Sequence, residues 1–288
     1  MTRKIISKVT LWGALVAVLG LCGPLAKASN SCDTLLTFGS GATLTKVCIS
    51  NEGNIVKFES PAGFEQIGQL NTFRDGYAMC SGNLPTWANV PEGYDAGDVS
   101  VEAGFGPPTV IQPGGPNTLP LTIIRDSSSG IYRLTQSFAR DGLRRIITIT
   151  MTVKRLSNAD CTSAGCPPLR LTRAFEGDVD NNTSANARFG RSLDSVWEWI
   201  DTTGHGLKLS SASNPGVTPI TTVYTTANYD PNGTGAQAAK GCIVFSGQVA
   251  TPTDPAVTNA TNLVGRVMYF LNVPLNGSKT AKVVYHRF

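Results

Sequence analysis

One run of ten residues constrains the fold of this chain more than any other. In Arg145–Lys154, Ile147, Ile149, Met151 and Val153 alternate with Thr148, Thr150, Thr152 and Lys154. A period of two puts the apolar side chains on one face of an extended strand and the threonines on the other. Such a strand needs neighbours on both sides and a second apolar layer beneath it. The preceding run, Ile131 to Ala139, also reads as a strand and ends at Arg140-Asp141-Gly142. Asp-Gly is a strong turn dipeptide, so the two runs predict an antiparallel hairpin. Val47–Ser50 and Ile55–Glu59, around Asn51-Glu52-Gly53-Asn54, predict a second.

Further extended runs are Leu121–Arg125, Leu169–Phe175, Ser195–Ile200, Gly206–Ser210, Thr221–Thr225, Cys242–Gly247, Gly265–Val273 and Ala281–Arg287. Gly, Pro, Asn and Ser fill the connections, and no long segment shows helical periodicity with caps. The expected class is all-β, an antiparallel β-sandwich or supersandwich. Residues 29–288 read as one such domain, with Gly104–Pro120 as a long loop or a lobe boundary. An outer-membrane barrel competes, because the chain ends on Phe288. Residues two apart back from it are His286, Val284 and Lys282, a polar face for lipid.

Residues 1–28 have the layout of a secretory signal. Arg3, Lys4 and Lys8 precede the apolar run Leu11–Leu21, and Ala26-Lys27-Ala28 places small residues where a signal peptidase reads them. A lipid-carrying Cys22 is the rival, with the bulky Leu21 against it. The apolar run is short of the about 20 residues of a membrane helix, and no transmembrane helix is expected. The chain holds 24 basic and 20 acidic residues, and four of the basic ones (Arg3, Lys4, Lys8 and Lys27) lie in the leader. The remainder is neutral, which argues against a nucleic-acid partner. Arg144-Arg145 and Lys154-Arg155 then read as solvated strand ends. Charged residues are 15% of the chain, too few for a disordered polyelectrolyte or a coiled coil. The expected location is exported: periplasm, cell surface or medium.

Beyond Cys22 stand Cys32, Cys48, Cys80, Cys161, Cys166 and Cys242. An even set in an exported chain suggests disulfides, though six cysteines allow 15 connectivities. The short Gly-containing loop between Cys161 and Cys166 favours a local staple. Cys32–Cys48 and Cys80–Cys242 are the expected remainder. No C-x-x-C pair or His–Cys spacing suggests zinc.

The densest polar constellation runs from Glu176 to Asp201. Asp178, Asp180 and Asn182 have the alternating spacing that can aim three oxygens at calcium, with Asp194 as a further carboxylate. Thr183 and Phe189 stand where an EF-hand needs Gly and Glu, so a plain acidic turn is the competing reading. Glu176, Asp178, Asp194, Glu198 and Asp201 also offer carboxyl pairs for glycoside hydrolysis. Trp197 and Trp199, two apart on a strand, share one face; they form either core or a sugar-stacking platform, with Trp87 as a third ring. His205 reads as a turn residue, and a triad with Asp201 lacks an evident serine. No G-x-S-x-G, H-E-x-x-H, Walker or Rossmann pattern is present.

Two stretches carry a resemblance. Val273–Tyr285 resembles the closing hairpin of exported bacterial β-sandwich domains: an apolar strand, a Gly-Ser turn and an alternating return strand. The Gly177–Asn182 turn with Arg188-Phe189-Gly190-Arg191 and Asp194-Ser195-Val196-Trp197 is similar to segments of secreted bacterial proteins. A supersandwich of the galactose-mutarotase-like kind suits the length, in architecture alone, since that family's histidine pattern is not recognisable. The resulting expectation is an exported, non-enzymatic β-sandwich that binds a glycan or a surface partner and is stabilised by calcium. The alternative is a carbohydrate-active enzyme using carboxylates near Asp178 and Asp194.

Overall fold

The computed structural model describes residues 31–67, 75–82, 90–95, 102–140, 146–163, 165–181, 187–212, 217–225, 257–258 and 263–287. The expected leader, Trp87, Asn182 and Cys242 lie outside these residues. In chain order the strands are β1 (Thr34–Phe38), β2 (Thr45–Ile49), β3 (Ile55–Glu59), β4 (Asp75–Ser81), β5 (Val90–Asp95), β6 (Glu102–Ala103), β7 (Thr109–Ile111), β8 (Leu121–Asp126) and β9 (Tyr132–Arg140). They continue as β10 (Ile146–Arg155), β11 (Leu169–Gly177), β12 (Ala187–Arg191), β13 (Ser195–Ile200), β14 (Gly206–Ser211), β15 (Pro219–Thr225), β16 (Val257–Thr258), β17 (Leu263–Leu271) and β18 (Ser278–Arg287).

The strands form a nine-stranded sheet, β16-β12-β13-β14-β18-β10-β9-β8-β7, and a six-stranded sheet, β15-β17-β11-β4-β5-β6. A three-stranded sheet, β1-β2-β3, completes the fold. The fold is all-β and antiparallel, as the alternation predicts. Among the described residues the larger sheet is open, ending at β16 and β7. A membrane barrel would have no such edges, and the outward side chains of β10 are threonines and Lys154 rather than a lipid-facing belt.

Both hairpins form. β9 and β10 pair with Thr135 opposite Thr152, and β2 and β3 pair around residues 50–54. The apolar face of β10 is fully buried, and its threonines are half-exposed. One apolar cluster joins all three sheets, with Phe58, Phe138, Met151, Leu171, Phe175 and Tyr285 among its members. The 104–120 segment contributes the edge strand β7 and packs Phe105 against this cluster.

The expected closing hairpin is a correction. β17 pairs with β11 and β15 in one sheet, whereas β18 pairs with β10 and β14 in the other. The turn near Asn276, whose φ is +56°, carries the chain across the sandwich instead of folding it back.

The interior between the sheets also holds charge. Arg173 is fully buried and ion-pairs with Asp75, which accepts from the Tyr285 hydroxyl and, at 2.6 Å, from the Ile55 amide. Arg173 also donates to the Gly53 carbonyl at 3.0 Å and to Gln136 Oε1 at 2.8 Å. Arg125 pairs with Asp95 at 2.7 Å and donates to the Tyr77 hydroxyl at 3.1 Å. Tyr77 in turn donates to the Glu52 carbonyl at 2.6 Å. The turn of the β2–β3 hairpin is thus inserted into the sandwich, where the Gly53 carbonyl accepts from a buried guanidinium and the Glu52 carbonyl from a buried phenol. Arg155, read from sequence as solvated, is fully buried. It ion-pairs with Asp160 and donates to the Val273 carbonyl and the Tyr132 hydroxyl.

Cys32–Cys48 and Cys161–Cys166 are bonded as predicted. Cys80 is also disulfide-bonded; its predicted partner, Cys242, lies outside the described residues. Such bonding fits an oxidising, exported environment. Among the described residues, no helix is long and apolar enough to cross a membrane.

Candidate functional site

β13 sits third from one end of the nine-stranded sheet, between β12 and β14. From Val196 to Ile200 its side chains alternate. Val196, Glu198 and Ile200 turn inward and are buried, and Trp197 and Trp199 turn outward and are half-buried. The two indoles are therefore not core. They stand side by side on the outer surface, about 7 Å apart along the strand.

Each ring is held by its neighbours. Trp197 lies opposite Gly190 on β12 and Lys208 on β14. Its indole spreads over Gly190, where a Cβ would stand 2.6 Å from Cζ2. The Lys208 ammonium is 5.7 Å from the ring centroid, a cation–π approach. Trp199 donates from Nε1 to Asp201 Oδ1 at 2.9 Å, and Arg188 donates to the other oxygen of Asp201 at 2.6 Å. The indole of Trp199 is clamped through a carboxylate that is itself paired.

A groove of about 510 Å³ opens at this surface, lined by Gly190, Ser192, Asp194, Ser195, Trp197, Trp199 and Lys208. Asp194 Oδ1 accepts from the hydroxyls of Ser192 and Ser195, at 2.8 and 3.0 Å. The groove combines flat aromatic surface with one carboxylate, one ammonium and hydroxyls, the mixture that recognises a polar ring with an apolar face.

Of the expected calcium set, Asn182 lies outside the described residues, and Asp178 and Asp180 stand at the other end of β13 from Asp194. Asp178 and Asp180 lie at the Ile200 end of β13, where Val179 packs on Ile200. Asp194 precedes the other end, four residues before Glu198, about 13 Å along the strand. Both oxygens of Asp180 are engaged: His205 Nδ1 lies 2.7 Å from Oδ1, Gln66 donates to Oδ1 at 3.2 Å, and Thr203 donates to Oδ2 at 2.6 Å. Among the described residues no group of three His, Cys, Asp or Glu side chains could hold a metal ion. His205 joins Asp180 rather than Asp201, so no His205–Asp201 pair exists.

Glu198 is the unusual acid. It is 2% exposed, and its Oε2 fills the space above the Cα of Gly177 on the facing sheet. Among the described residues that oxygen has no hydrogen-bond partner. Burial first, then the charges of Asp178 and Glu176, hold its carboxyl well above the ordinary glutamate range. Burial also pushes Asp178 up. Glu198 is sealed inside the sandwich and faces away from the groove.

Gly190, Ser192 and Lys208 line the groove but were not among the sequence-predicted site residues. The signal that would have found them is pairing register, because Trp197 meets Gly190 and Lys208 only across strands.

No protein-family model matches this chain, and no curated protein matches it. Solved structures do. A bacterial glucoamylase solved in complex with acarbose is 13% identical, with a TM-score of 0.55 over 90% of this chain and 32% of the glucoamylase chain. A candidate aldose 1-epimerase from Escherichia coli K12 is 10% identical, with a TM-score of 0.50 over 88% of this chain and 99% of that one. A galactose mutarotase related enzyme from Lactobacillus acidophilus is 8% identical, with a TM-score of 0.49 over 88% and 97%. This chain spans about a third of the glucoamylase's length. At these identities the likeness is one of fold, shared with proteins whose names concern sugars: the candidate aldose 1-epimerase and part of the glucoamylase.

Proposed function

We propose that this protein binds glycan on the outward strip formed by Trp197 and Trp199, outside the cytoplasm and without catalysing a reaction there. One observation carries the reading: two indoles on the solvent face of β13 border a groove that also presents Asp194 and Lys208. A pyranose presents an apolar face that stacks on indole and hydroxyls that bond to such polar neighbours. The sugar-related names of the similar folds support the ligand class. Hydrolysis by the common two-carboxylate route needs a second acid across the bond. Among the groove's described lining residues Asp194 is the one carboxylate, which favours binding over cleavage. Glycan-array binding of wild type and Trp199→Ala tests the reading. Loss of wild-type signals in the variant is expected; equal binding by both, or none by the wild type, contradicts it.

A further inference from the structure

The nine-stranded sheet does not end at the tryptophans. Next to β13 come β14, β18, β10 and β9, and these four strands contain no Asp or Glu. Their inward faces are core. Their outward faces carry cations and hydroxyls, with Val284 of β18 and Ala139 of β9 among them.

The cations are placed with regularity. Lys208 on β14 is level with position 286 of β18, Lys282 lies four residues along β18, and Lys154 on β10 is level with Ser278, four residues further. Each step is one strand over and four residues along, about 14 Å from the spacings of a sheet. The row begins beside Trp197, which Lys208 directly opposes. Thr148, Thr150 and Thr152 of β10 lie alongside it, and Thr152 shares a hydroxyl–hydroxyl bond with Thr280 at 2.9 Å. Among the described residues neither Lys208 nor Lys154 has a carboxylate within ion-pair distance.

We propose that this face continues the tryptophan strip as a docking track for an anionic polysaccharide, a chain of sugar rings bearing carboxylates or sulfate esters. The inference rests on the glycan-binding reading above and names its ligand class. A sugar ring stacks on the indoles while repeated anionic groups meet a diagonal of lysines on strands that contain no Asp or Glu. Charge complementarity of this form raises affinity in a salt-dependent way. The hydroxyls supply partners for the sugar oxygens between charges.

The test is calorimetric binding of the full chain to polygalacturonate, dextran sulfate, neutral dextran and poly-L-glutamate, at low and high salt. The expected result is at least tenfold tighter binding of one or both acidic glycans than of dextran at low salt. That preference should collapse at high salt and in the Lys208→Gln/Lys154→Gln double variant, whose melting temperature serves as a folding control. Which acidic glycan wins identifies the anion as carboxylate or sulfate ester. Dextran bound as tightly as both acidic glycans overturns the track and leaves the tryptophan platform standing. Poly-L-glutamate bound as tightly as the acidic glycans overturns it as plain ion exchange. Absence of all glycan binding by the wild type removes the platform and the track together.

Discussion

Gly190 and Trp197 oppose each other across β12 and β13, and the indole occupies the volume that a side chain at position 190 would need. The flat presentation of the ring therefore depends on the absence of a Cβ at this position. Gly190→Ala should lift the ring off the sheet and weaken glycan binding by about 0.5–1.5 kcal/mol, the size of one aromatic contact. Calorimetry beside thermal melting separates this from unfolding. Wild-type affinity in a folded variant would show that the ring's seat on β12 does not matter.

The buried acid Glu198 makes a pH prediction. An unfolded glutamate loses its proton near 4.5, whereas the folded one keeps it to higher pH. Stability from the protonated group is fully present below the unfolded value. It is lost as pH rises from there through the folded value. Glu198→Gln has the same shape and does not titrate. In urea unfolding it should match wild type at acid pH and exceed it increasingly toward neutral pH. Parallel stability curves for the two proteins would contradict a buried, upshifted carboxyl.

Arg173 and Asp75 are both fully buried and are each other's ion-pair partner. Removing one leaves the other charge in the core, at a cost of about 3–5 kcal/mol. Arg173→Met and Asp75→Asn should each destabilise strongly, and the double variant should cost less than their sum. Additive losses in a denaturant double-mutant cycle would show that the pair is not coupled.

Asp180 ties the turn after β11 to Gln66, Thr203 and His205. If these bonds are its role, Asp180→Ala lowers the melting temperature by the same amount with calcium as with EDTA. A wild-type protein whose melting point rises with calcium, and a variant that loses this rise, would instead assign Asp180 to an ion site.

What the sequence disclosed follows from range. The β9–β10 and β2–β3 hairpins were legible because alternation and turn residues are local signals. The two disulfides now seen close short loops and were legible for the same reason. The orientation of Trp197 and Trp199 was not. Val196 and Ile200 sit on the same face as Glu198, so hydrophobicity did not separate the inside from the outside of β13. A buried, uncompensated acid breaks the usual binary pattern. Arg125, Arg155 and Arg173 hid in the same way, since their partners come from distant segments. The Val273–Tyr285 stretch looked like a hairpin because a turn between two strands has the same local chemistry whether the chain returns to its own sheet or crosses to the opposite one.

The most direct measurement is tryptophan fluorescence during glycan titration, comparing wild type with Trp197→Ala/Trp199→Ala. Stacking on the outward indoles predicts a saturable change in wild-type emission, and in the double variant, folded by its melting curve, loss of both the change and calorimetric binding. The same affinity in both proteins would place the ligand elsewhere and contradict the proposed site.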